Sequence, residues 1–218
     1  MINFYSFPLS SPGNKVSYIM NYLNIPYEYH HINLAFGEHH KPEYLKVNPY
    51  AKIPAIDDDG FKLAESNAII CYLASKYKSE IYPADIKKRA VINQWLDYAS
   101  QHIMMSFARI MFNTYFYKMA KTTPDERSLQ DGHNFLNKNL PVVEAELSRF
   151  KYIAGNDLTL ADFSMLASMD TAELSKVDLS IYPHISAWRN KLMTQDFYLK
   201  CHTNYAESFH NTIAQISA

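Results

Sequence analysis

The sequence predicts an α/β domain followed by an all-helical domain. Three observations carry this. A β-prone run, an amphipathic helix and a second β-prone run succeed one another within the first 34 residues. Two more short strands, joined at an aspartate-rich turn, and a further helix follow before residue 78. Beyond residue 87 no convincing strand pattern returns.

Ile2 to Tyr5 is the first β-prone run, and Pro8 with Ser10-Ser11-Pro12-Gly13 breaks it. Val16, Ile19, Met20 and Leu23 then recur at helical spacing, which predicts an amphipathic helix from about Asn14 to Leu23. Tyr27 to Leu34 reads as the second strand. A β-α-β unit of this kind implies that the two strands are parallel. Gly37 to Lys46 is polar, irregular or a short helix. Ile53 to Ile56 reads as a strand whose second residue is Pro54, and a proline there must sit at an edge, a strand start or a bulge. Asp57-Asp58-Asp59-Gly60 is a turn signal, and Phe61 to Leu63 is the returning strand. The three aspartates do not have the spacing of a calcium loop and read as a solvated turn. Glu65 to Tyr77 closes this domain as a helix. The expected division is residues 1–78 and 87–218, with the polar stretch Lys78 to Ile86 between them.

In the second part, Ala90 to Ala120 is apolar and aromatic and reads as one or two core helices. Pro124 to Phe150 gives a helix interrupted early by Gly132 and holding Pro141. Leu158-Thr159-Leu160-Ala161-Asp162-Phe163 opens another, with Thr159 and Asp162 at capping-box spacing and Leu158 and Phe163 placed as a hydrophobic staple. Pro183 to Leu192 and Tyr198 to Ile213 complete the set. Trp95 reads as a buried aromatic and Asp162 as a helix cap.

Composition removes whole classes of function. Lys plus Arg is 21 and Asp plus Glu 22, a formal charge of −1, which argues against a nucleic-acid partner held by a basic surface. The longest apolar run, Ala68 to Ala74, falls far short of the roughly 18 residues that span a bilayer, so no membrane partner is expected. Met1 to Leu9 lacks the basic n-region of a signal peptide, and Cys71 and Cys201 suggest no disulfide framework, so a cytoplasmic setting is expected. The five glycines are too scattered for a dinucleotide fingerprint or a P-loop. No HExxH or CxxC occurs, so no metal is expected.

The stretch NPYAKIPAIDDDGFKLAESNAIICYLASKY, Asn48 to Tyr77, resembles the core signature of the glutathione transferase superfamily. Ile53-Pro54, the hairpin turn and Glu65-Ser66 at a helix start carry the likeness. Gly37-Glu38-His39 matches in the manner of the theta, delta and phi classes, and LTLADFSM from Leu158 to Met165 resembles the family's helix-capping motif. The resemblance covers nearly the whole chain. It implies a thioredoxin-like N-terminal domain, a C-terminal helical bundle, a homodimer, and glutathione as co-substrate with a hydrophobic electrophile.

Glutathione is an extended tripeptide with a carboxylate at each end, an ammonium and a thiol. The resemblance implies that Ile53 pairs its backbone with the cysteinyl unit beside a cis bond to Pro54. It implies that Ser66 binds the γ-glutamyl carboxylate at a helix N-terminus while Glu65 takes the ammonium. His39 and Lys52 would hold the glycine carboxylate, with His40 as a neighbour able to replace His39. Ser10 or Ser11 would donate a hydrogen bond to the sulfur and stabilise the thiolate. Met104, Met105, Phe107, Ala108, Met111 and Tyr115 would wall the electrophile site, with Arg109 as a candidate near the sulfur. Three departures from the family pattern matter. No cysteine precedes Cys71, which argues against thiol transfer through an enzyme cysteine. Asn67 stands where theta and delta members carry arginine, which leaves open what charges the γ-glutamyl end. Ser11-Pro12 with Asn14 loosely echoes the Thr-Pro-Asn arrangement of bacterial Nu-like members. A glutathione-dependent peroxidase or disulfide reductase and a non-catalytic binding module are the alternative readings.

Overall fold

The computed structural model describes residues 1–118 and 120–202. The first unit is a four-stranded sheet in the order β2-β1-β3-β4. Its strands are β1 (Ile2–Ser6), β2 (Tyr27–His31), β3 (Ala55–Asp58) and β4 (Phe61–Ala64). β1 pairs with β2 in parallel and with β3 antiparallel, and β4 pairs antiparallel with β3. Helices α1 (Ser11–Tyr22) and α3 (Ser66–Lys76) pack together, and the single-turn α2 (Pro42–Leu45) lies in the crossover. This is the thioredoxin-like arrangement, and among the described residues the later elements are helices.

Several predicted elements shift in ways that local chemistry explains. α1 starts at Ser11, three residues before the expected Asn14. Pro12 occupies the first turn, where its missing N–H costs nothing, and Ser10 Oγ caps the end by accepting from the Gly13 N–H at 3.2 Å. Pro54 precedes β3 instead of lying inside it, because its ring nitrogen has no hydrogen for the ladder. Only Asp59 and Gly60 form the turn, with φ of 51° and 93°, the left-handed pair that a two-residue hairpin demands. Asp57 and Asp58 belong to β3. Asp58 is buried, with the Tyr72 hydroxyl donating to it at 2.7 Å and Lys76 paired to it as well, so the solvated-turn expectation fails at that residue. The stretch between the domains is not solvated throughout either: Ile81 and Tyr82 are buried, and the Ile81 carbonyl accepts from the Leu160 N–H at 3.0 Å.

The helical part begins with one continuous helical run. It comprises α4 (Ile86–Tyr98), a π-helical stretch (Ala99–Met104), α5 (Met105–Met111) and a second π-helical stretch (Phe112–Phe116). α6 (Glu126–Arg149) is unbroken. Gly132 does not interrupt it. A Cβ there would meet Ile110 Cγ1 at 2.9 Å and the Ser106 carbonyl at 3.0 Å, so the glycine lets α5 and α6 approach closely. α7 (Leu160–Ser168), α8 (Pro183–Met193) and α9 (Asp196–His202) follow. The expected helix from Tyr198 to Ile213 lies mostly outside the described residues. One hydrophobic core runs through both units, from Phe4 and Ile56 in the sheet through Ile19 and Leu73 to Trp95, Leu140 and Phe163.

Candidate active site

The strand register brings four chain segments to one end of the sheet. Ser6, the last residue of β1, pairs with His31, the last of β2. Tyr5 pairs with Ala55, the first residue of β3, and Ala55 pairs with Ala64, the last of β4. The Phe7–Ser10 loop, the His39 segment, Ile53-Pro54 and Glu65-Ser66 therefore all leave or enter the sheet side by side. These hold the residues singled out from sequence.

Ser10 is the N-cap of α1 and Ser11 its first helical residue. Because Ser10 Oγ accepts from the Gly13 N–H, its own proton remains available to a ligand. Gly13 is required here by close approach: a Cβ would lie 2.0 Å from Ser6 Oγ. Ser10 borders two adjoining cavities. One, of about 720 Å³, is lined by Phe7, Leu9, Leu34, His39, His40, Phe112 and Phe116. The other, of about 290 Å³, is lined by Ser10, Ser11, Met104, Met105, Phe107, Ala108 and Met111. The two π-helical stretches flank the segment that builds this wall, a common position for such irregularities.

The predicted wall is largely in place, with two corrections. Tyr115 lines neither cavity; its hydroxyl donates to the Leu174 carbonyl at 3.0 Å, and Phe112 and Phe116 take the position expected of it. Arg109 lies in a separate groove with His102, Ser106 and Phe135, where its guanidinium donates to Ser128 Oγ at 3.4 Å and sits over the Phe135 ring. Its side chain is thus committed away from Ser10. Sequence reasoning missed the Phe7, Leu9 and Leu34 side of the pocket: Phe7 and Leu9 lie in a short loop without periodicity, and Leu34, expected inside the second strand, lies beyond its end at His31.

His39 lies in the 3₁₀ turn Glu38–His40, and its Nδ1 is buried with no hydrogen-bond partner. Burial, and the neighbouring His40 ring 4.0 Å away, hold its pKa below the usual histidine value. The His39 ring lines the cavity beside Ser10. The Lys52 side chain is exposed, while its carbonyl accepts from Tyr44 at 2.5 Å and Asn48 at 2.6 Å. The Ile53–Pro54 bond is cis. Glu65 adopts φ 67° and ψ 110°, a conformation unfavourable for a residue with a side chain, directly before Ser66 opens α3. A glycine would relieve that strain, so a carboxylate kept there points to a functional demand. Lys52, Ile53, Glu65 and Ser66 border neither cavity and form the adjoining shelf at the same sheet end.

Asn67 has a buried partner that sequence reasoning missed. The ammonium of Lys15, a residue fully buried in α1, donates to Asn67 Oδ1 at 2.6 Å. The available signal was its position, four residues before Ile19 and next to Val16, on a helix with many buried neighbours.

Residues 4–80 match the family model described as glutathione S-transferase, N-terminal domain, and residues 102–196 match glutathione S-transferase, C-terminal domain. Among solved structures, the chain is similar to a delta-class glutathione transferase from Nilaparvata lugens, with 31% identity and a TM-score of 0.85 over 99% of this chain and 100% of that one. It is also similar to glutathione transferase F7 from Populus trichocarpa, at 27% identity and a TM-score of 0.85, covering 94% and 99% of the two chains. A third relative, a glutathione S-transferase-I solved with lactoylglutathione bound, has 28% identity and a TM-score of 0.83 over 93% and 98%. The chain belongs to the glutathione transferase superfamily. It is a glutathione transferase enzyme, and glutathione is the co-substrate of its family.

Proposed function

We propose that this protein conjugates the glutathione thiolate to hydrophobic electrophiles, with residues 1–78 binding glutathione and residues 87–218 walling the electrophile. The observation that carries this reading is the hydroxyl of Ser10. It accepts from the helix and keeps its proton free at the mouth of two apolar cavities.

The reaction needs a thiolate near neutral pH, whereas a free thiol titrates near 8.5. The Ser10 O–H donates to the sulfur and favours its charged form, and the α1 N-terminus adds its dipole. The thiol proton leaves to solvent, the sulfur attacks the electrophilic carbon, and the leaving group departs with the bonding electrons. Ser66 N–H and hydroxyl receive the γ-glutamyl carboxylate, Glu65 the ammonium, the Ile53 backbone beside Pro54 the cysteinyl unit, and His39 with Lys52 the glycine carboxylate. Ser11, at the first helical position beside Ser10, is the rival hydroxyl. The homodimer and the cytoplasmic setting implied by the resemblance belong to the same proposal.

Retention on immobilised glutathione, followed by turnover with a chlorodinitrobenzene and with a hydroperoxide, tests it. Ser10→Ala is expected to lower kcat with the aromatic chloride by about 10²-fold, the usual cost of one preorganised donor. Glutathione affinity should stay within a few-fold. Equal loss in Ser11→Ala alone would move the role to Ser11. Turnover of the hydroperoxide only would favour the peroxidase alternative, and retention without any turnover the non-catalytic one.

A further inference from the structure

Lys15 lies in α1 just beyond Ser10 and Ser11 and has no solvent contact. Its Nζ donates to Asn67 Oδ1 at 2.6 Å and to Ser100 Oγ at 3.3 Å. Asn67 follows Ser66 directly, and its Nδ2 donates to the Leu96 carbonyl at 3.2 Å and to Ser100 Oγ at 3.1 Å. One ammonium therefore ties α1 to the start of α3 and to the α4 run. Both of its acceptors are neutral, and no carboxylate among the described residues forms an ion pair with it.

The charged and titratable groups that act on it come from α3: the Cys71 thiol, and Glu65 at the helix start. Behind Cys71 stand Tyr82 and, on α4, Arg89 and Asp97. Burial dominates this balance and pulls the Lys15 pKa down to about 7, with Cys71 and Glu65 opposing it. A buried cation without a counter-ion is costly. An anion arriving at Ser66, the residue before Asn67, would add to the weak support that Glu65 gives.

We propose that Lys15 is a positioning residue for glutathione, holding Asn67 and hence the Ser66 helix end through a buried amine that becomes an ammonium when the γ-glutamyl carboxylate binds. The inference rests on the reading of Ser66 as the γ-glutamyl site. The carboxylate at Ser66, beside Asn67, acts on Lys15 more strongly than the ammonium that Glu65 receives, and this sets the sign. A bound carboxylate raises the Lys15 pKa, so binding above pH 7 consumes a proton, and affinity falls as pH rises from 7 towards 9. Glutathione itself would release a thiol proton and mask this, so S-methylglutathione is the right probe.

Calorimetric titration of S-methylglutathione into the full-length protein at pH 7.5, in two buffers of different ionisation enthalpy, counts the protons. Wild type is expected to take up roughly half a proton or more. Lys15→Met should take up none and bind about tenfold more weakly, the scale of one charged hydrogen bond. Lys15→Arg, always charged, should restore affinity without uptake. His39, the other low-lying base at the site, is controlled by His39→Gln, which should bind more weakly but keep the uptake per ligand bound. If Lys15→Met does not fold, Asn67→Leu replaces it and should likewise lower both affinity and uptake. Binding by wild type without uptake, uptake that vanishes in His39→Gln, or unchanged affinity in a folded Lys15→Met overturns the role of Lys15 alone. No binding at all by wild type overturns the glutathione site and Lys15 with it.

Discussion

Among the described residues, Lys15 in α1 and Asp162 in α7 are ionisable side chains with no exposed surface, and their surroundings differ in kind. Asp162 is enclosed by donors. Oδ1 accepts from the Ile153 N–H at 2.9 Å and Trp188 Nε1 at 3.0 Å, and Oδ2 accepts from the Thr159 N–H at 2.9 Å and its hydroxyl at 3.3 Å. The reach back to Thr159 is half of a capping box, and the other contacts pin the Ile153 segment and α8 to the same point. Lys15 has two neutral acceptors for three N–H groups. A closed polar network specifies architecture, whereas an open one leaves an electrostatic demand that a ligand can meet.

The largest expected effect breaks the closed network. Asp162→Ala leaves four donors without an acceptor and should cost about 3–5 kcal/mol, read from the shift of the urea midpoint at constant slope. S-methylglutathione affinity of the folded fraction should be unchanged. A loss below about 1 kcal/mol would show that water or relaxation replaces the carboxylate, and the contrast with Lys15 would lose its basis.

The same two residues should bend the stability-versus-pH curve in opposite directions. Burial raises the Asp162 pKa to about 6, against the four hydrogen bonds that lower it. Between about 4 and 6 the folded state then binds more protons than the unfolded chain, so this residue's contribution falls as pH rises. Lys15 behaves inversely. Its folded pKa of about 7 lies below the ordinary lysine value, so the unfolded chain binds more protons above 7 and stability rises with pH. Lys15→Met should remove a rise of roughly 2 kcal/mol between pH 7 and 9, at about 1.4 kcal/mol per pH unit. Urea unfolding at the two pH values checks it, and parallel curves for variant and wild type would show that Lys15 is not neutralised in the free protein.

How far this was legible in the sequence follows the same division. Thr159 and Asp162 announce themselves, because a capping box is written in residues three apart and its geometry is local. The β-α-β order, the Asp59-Gly60 turn and the Glu65-Ser66 helix start are local in the same sense. Lys15 is not, since a lysine beside an apolar stripe reads as solvated until α3, α7 and α9 are known to close around α1. Asp58 was misread for that reason as well: its partners Tyr72 and Lys76 come from a helix that the aspartate run says nothing about. Gly132 reads as a breaker from its own helix and as a contact only from its neighbour. At the site, the residues proposed to hold glutathione sit in motifs with fixed spacing, while Phe112, Phe116 and Leu34 are gathered only by the tertiary fold.

The smallest expected effect separates stability from chemistry at the functional end of α1. Ser10 caps that helix through one hydrogen bond from the Gly13 N–H at 3.2 Å, while Ser11 already lies inside the helix. Losing an N-cap costs about 1 kcal/mol. In a chain of this length that corresponds to a fall in Tm of about 2–4 °C. Ser10→Gly should cost only a few tenths of a kcal/mol, because glycine tolerates the cap conformation, yet it removes the proposed donor to sulfur as completely as alanine does. The two variants should therefore differ in Tm and coincide in kcat. If kcat instead follows Tm across Ser10→Ala and Ser10→Gly, the hydroxyl acts through the helix end alone, and α1 would carry a structural cap where Lys15 requires a functional neighbour.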